Sequence, residues 1–72
     1  MELKLEQIIT DVLIAFGYDA VCNENQTHYA IVYTAFDQYI PKEVETVVRI
    51  IAGDKLMEFF WMSSKQTIYI SK

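Results

Sequence analysis

The chain reads as an α+β two-layer sandwich in the order helix, strand, strand, helix, strand, strand. It predicts a four-stranded, mainly antiparallel sheet with two helices on one face. Three observations carry this. Two stripes of apolar residues recur at helical spacing, and each ends at a glycine, Gly17 and Gly53. The segments between them are rich in aromatic and β-branched residues and broken by short polar turns. The run Leu56–Met62 is apolar on both sides of a strand, which demands a covered face and leaves a second face to be accounted for.

The first helix follows from Leu5, Ile8, Ile9, Val12, Leu13 and Phe16, which form one stripe at i, i+3, i+4. Glu2 and Glu6 near its start suit the helix dipole. Ile14 lies off the stripe and widens the apolar face. Residues 18–23 form a short strand, 24–27 a polar turn, and 28–35 a second strand. Pro41 is suited to open the second helix. Its stripe is Val44, Val47, Val48 and Ile51, and Glu45 and Arg49 are placed to pair four residues apart. Valine and isoleucine are poor helix formers, so a strand competes here. The proline start, the glycine end and the 3.6 period decide for helix. Residues 55–62 and 66–71 make the second hairpin, joined by Ser63, Ser64 and Lys65.

This order is a doubled αββ plan. Laid on each other at an offset of 36 without gaps, the halves match Thr10 with Thr46, Val12 with Val48, Ile14 with Ile50, Gly17 with Gly53, and Tyr33 with Tyr69. So few identities in so apolar a composition describe a shared architecture, not a duplication.

Composition bounds the function. The 72 residues suffice for one compact domain, 1–72, and 53% are hydrophobic, which excludes disorder. The net charge is −4, and six scattered basic residues form no stripe. Nucleic acid and anionic membrane are therefore not expected partners. The opening residues alternate charge and leucine, unlike a signal peptide, and no run approaches the length of a bilayer span. Cys22 is the only cysteine, so no intrachain disulfide forms. These features lead to the expectation of a soluble, cytoplasmic protein.

The chemistry of catalysis is missing. His28 is the only histidine, both glycines end helices, and no phosphate loop or metal-ligand spacing exists. Glu43 and Glu45 cannot act as a carboxylate pair on a helix. No catalytic, cofactor or metal residue is assigned. Cys22 and His28, six apart across a turn, are the one candidate for a thiol-dependent sensor or enzyme. A basic neighbour that would activate the thiol is not found locally.

Alternation assigns the faces. Ile68 and Ile70 are expected toward the helices, with Tyr69 opposite them. Small Ala30 and Val32 are expected under the helices, which sends Tyr29 and Tyr33 to the open side. Met57, Phe59 and Trp61 are expected inward, and Leu56, Glu58, Phe60 and Met62 outward. The candidate protein-binding face is thus Tyr29, Tyr33, Glu58, Phe60, Met62 and Tyr69. Such a face is read as an interface for a protein partner or a homo-oligomer. It competes with internal closure of both faces, and with stacking of RNA bases, which the acidic charge opposes. The last strand, if it lies at an edge, offers β-augmentation as a second route. The expected function is a stoichiometric regulator or inhibitor, of the kind encoded by phages and mobile elements. Its alternatives are an acidic nucleic-acid mimic and the Cys22/His28 thiol sensor.

Overall fold

A computed structural model describes residues 4–34, 42–62 and 65–72, with the side chains of Trp61 and Met62 outside the description. The elements are α1 (Leu5–Ala15), β1 (Ala20–Glu24), β2 (His28–Thr34), α2 (Lys42–Ala52), a single 3-10 turn (Gly53–Lys55), β3 (Leu56–Met62) and β4 (Lys65–Ser71). The predicted order and the two-layer α+β architecture hold. The expected roles of Ala35, Pro41, Ser63 and Ser64 fall on residues outside those described.

Helix α1 ends as its sequence implies. Gly17 takes φ 100°, open to glycine at no steric cost. Its N–H donates to the Ile14 carbonyl at 2.9 Å, and the Tyr18 N–H donates to the Leu13 carbonyl at 3.0 Å. These two bonds close a Schellman motif and turn the chain into β1. Gly53, at φ 56°, ends α2 and opens a 3-10 turn, Gly53–Lys55, which the Leu56 N–H closes by donating to the Gly53 carbonyl. The two helices also share a hydroxyl device. Thr10 Oγ1 donates to the Glu6 carbonyl at 2.7 Å, and Thr46 Oγ1 to the Lys42 carbonyl at 2.8 Å. The expected Glu45–Arg49 pair forms, with the guanidinium 2.9 Å from the carboxylate.

The strands pair antiparallel in the order β1-β2-β4-β3. The second hairpin therefore meets the first through β2 and β4. This places β4 inside the sheet and contradicts the expected C-terminal edge strand. With neighbours on both sides, its backbone groups are already paired, so it cannot add to another sheet. The edges are β1 and β3.

Both helices lie on one face. The core beneath them joins Ile9 and Leu13 of α1, Val44, Val48 and Ala52 of α2, Ile31 and Tyr33 of β2, and Ile68 and Ile70 of β4. Each large apolar side chain buried here contributes roughly 1.5–3 kcal/mol. Arg49 of α2 lies over the Phe59 ring of β3 at 5.1 Å, which ties that helix to the outer hairpin. No helix among the described residues is long and apolar enough to cross a membrane.

Strand β3 departs from simple alternation. Leu56 pairs with Ile70 and Glu58 with Tyr69, so Met57 is an extra residue in a β-bulge. Leu56 and Phe59 consequently both pack on the core, while Met57 is 57% exposed. The expectation of Leu56 outward and Met57 inward is corrected by this one inserted residue. Phe59 inward, with Glu58 and Phe60 on the other side, stands. Deleting Met57 should leave a regular strand with every face preserved, and cost less than about 2 kcal/mol in urea unfolding. Deleting Phe60 should drive Glu58 toward the helices and cost more than about 3 kcal/mol.

Candidate protein-binding face

The side of the sheet away from the helices is built by residues that share register across all four strands. Val21 of β1 stands opposite Val32 of β2, Val32 opposite Thr67 of β4, and Thr67 opposite Phe60 of β3. Neighbours directly across strands have Cβ atoms about 5 Å apart, so these four make one largely apolar row running across the sheet. Val21 is 60% exposed and Phe60 42%. A second row lies two residues further along, with Asn23, Ala30, Tyr69 and Glu58 in register. Thr34 and Lys65 pair beyond the first row, and His28 and Ser71 beyond the second.

His28 closes one end of this face. Its ring meets the Tyr69 ring edge-to-face, with centroids 5.5 Å apart. Nε2 lies 3.0 Å from Asn25 Nδ2, and Nδ1 lies 3.1 Å from Thr27 Oγ1. Both ring nitrogens are thus engaged by the β1–β2 turn, which the Asn25 N–H also closes by donating to the His28 carbonyl at 2.8 Å. This histidine holds a hairpin and a tyrosine in place.

The predicted face is partly realised. Glu58, Phe60 and Tyr69 are on it. Tyr33 is not: it is 1% exposed and part of the core, edge-to-face with Tyr18 at 5.4 Å. Tyr29 shares that helix-facing side, half-buried, with the Lys72 ammonium 5.2 Å from its ring centre. The Met62 backbone pairs with Lys65, and its side chain is outside the description. The inversion of β2 has a volume cause. The small side chains Val44, Val48 and Ala52 of α2 share one core with Tyr33 and Ile31, whose volume helps fill the space under the helices. Ala30 and Val32 are left for the open side, where sequence reasoning did not place them. Val21 was missed with them, although Ala20 and Cys22 beside it are small enough to sit under α1.

The thiol alternative loses its geometry. Cys22 pairs with Ile31 and faces the helices, whereas His28 shares the parity of Ala30 and Val32 and faces away. The sheet separates them. Burial, and secondarily the Glu6 and Glu24 carboxylates, raise the Cys22 thiol above its usual value, so the thiolate is disfavoured. Three or more potential metal ligands are not gathered anywhere among the described residues. On the open side Glu58 lies on β3, and Asp19, whose carbonyl accepts from the Thr34 N–H at 3.4 Å, precedes β1 at its margin. Elsewhere Glu24 is held by Lys72 at 2.7 Å, which lowers its pKa.

Tyr33 is also an electrostatic outlier. Its hydroxyl is buried with no hydrogen-bond partner among the described residues. Burial, then the nearby Tyr18 and Glu45, push its pKa well above the ordinary value. An unfolded tyrosine loses its proton near pH 10, while folded Tyr33 retains it. The folded state therefore keeps its full stability below about pH 10 and loses it as pH rises further. Tyr33→Phe should raise stability at pH 7 by about 1 kcal/mol, because an unsatisfied hydroxyl is removed. It should also flatten the decline above pH 10. Destabilisation at pH 7, or an unchanged alkaline decline, would contradict this placement.

No family model matches the chain, and comparison with curated proteins and with solved structures finds no match.

Proposed function

We propose that this chain is a non-catalytic protein-binding module that acts stoichiometrically through the open face of its sheet. The observation that carries this reading is the one-sided placement of the helices. They cover Ile31, Tyr33, Ile68 and Ile70 and leave the Val21–Val32–Thr67–Phe60 row without a layer above it. A contiguous apolar surface rimmed by polar groups is typical of protein interaction sites. Here the rim is Asn23, His28, Glu58, Lys65 and Ser71.

The chemistry of the face favours a protein over other ligands. It is the outer side of a four-stranded sheet, whereas small molecules bind in concave pockets that enclose them. Its aromatic residues, Phe60 and Tyr69, are of the types enriched at interface centres. Among the described residues Lys65 and Glu58 face outward there, with Asp19 at the margin, which suits neither phosphate binding nor dense phosphate mimicry. A module of this kind alters a partner by occupying its surface, which is the mode of action of small inhibitors and regulators.

Site-specific photo-crosslinking in cells tests the reading. A benzophenone side chain at position 60 should give discrete adducts that disappear when Val21→Asp is added. The same group at position 50, where Ile50 is 75% exposed on α2, should give none. Adducts from position 50 alone, or from neither position, would overturn it.

A further inference from the structure

We infer that the occupant of the open face is a second copy of this chain, stacked face to face so that two sheets form a β-sandwich about a two-fold axis. This rests on the protein-binding reading of that face and adds the identity of the partner.

The register supplies the charge complementarity. Take the apolar row Val21–Val32–Thr67–Phe60 as a line across the sheet. Lys65 lies two residues to one side of it on β4. Tyr69 lies two residues to the other side on the same strand, with Glu58 beside it on β3. A two-fold axis along the row sets each row on itself and exchanges the two sides. Lys65 is thereby brought over the partner subunit's Tyr69 and Glu58, and the reciprocal contact forms by symmetry. An ammonium placed between an aromatic face and a carboxylate is favourable on both counts. Lys65 and Glu58 are both exposed in the single chain and free to turn toward such a contact. Strands of the two sheets run nearly antiparallel in this arrangement, within the aligned class of sheet packing.

The area sets the strength. Four strands at about 4.8 Å, three of seven residues and β1 of five, at about 3.3 Å per residue give a face roughly 19 Å wide and 23 Å long, narrowing to about 17 Å at β1. Corrugation by side chains enlarges its accessible surface. That brings the interface to the lower end of specific complexes, which bury about 800 Å² per partner. An interface of that size is expected to be reversible, not obligate. Edge-to-edge pairing is the competing route to a dimer. The bulge at Met57 blunts the β3 edge, which leaves only β1 for it.

Sedimentation equilibrium across a concentration series, with circular dichroism to confirm folding, tests the inference. The wild-type chain should pass from 8.4 kDa to twice that mass as concentration rises. Phe60→Asp should weaken the dimer at least about 100-fold without unfolding the domain. Glu58→Lys and Lys65→Glu should each weaken it about 5–10-fold, and the double variant should recover to within about threefold of wild type. A dimer that Phe60→Asp and the charge reversals leave unchanged would overturn face-to-face stacking in favour of β1 pairing. A wild-type chain that stays monomeric to millimolar concentration would overturn the second copy as occupant. In that case, adducts from position 60 with a different protein would still uphold the protein-binding reading, and their absence would remove both.

Discussion

The pairing of Ile31 with Ile68 at the centre of the sheet determines which side chains meet the helices everywhere else. Side chains alternate faces with a period of two, so one central pair assigns all of β2 and β4. From β2 the assignment passes to β1, where Cys22 stands opposite Ile31. From β4 it passes to β3, where Phe59 stands opposite Ile68. The apolar row on the far side is the complement of that single choice. Neither Val21 nor Phe60 could be buried by the helices without exposing the isoleucines instead.

The same constraint explains what was legible in the sequence. The helices, their glycine ends and the order of elements could be read directly, because helical periodicity and glycine C-caps are local signals. The offset of 36 between halves holds in the helices, where Thr10 and Thr46 make the same hydroxyl bond and Gly17 and Gly53 both take positive φ at the helix end. It fails in the strands. Met57 inserts one residue in β3, so the structural offset becomes 37, and Ile31 corresponds to Ile68. At 36, Tyr33 matches Tyr69 and both fall on one face. In the folded chain they face opposite sides, one in the core and one outside. A bulge has no reliable local signature, and the face of β2 depends on the size of residues in α2 that are distant in sequence.

The two-sided sheet is also a consequence of size. A small domain buries a limited fraction of its surface, and two eleven-residue helices cover one face of four strands. In the proposed function, the remaining apolar row is the surface that a partner covers. Structure and proposed function thus share one cause. In the proposed dimer, the polar residues that frame the row supply selectivity, with Lys65 placed across the row from Tyr69 and Glu58 to meet them on a second copy.

Methyl NMR with a soluble paramagnetic agent is the most direct measure of which sheet face is open. In dilute solution the methyls of Val21 and Val32 should broaden strongly, while those of Ile31, Ile68 and Ile70 remain sharp. Protection of Val21 and Val32 in dilute solution, with broadening of the three isoleucines, would show that the helices cover the other face and would contradict the account at its root.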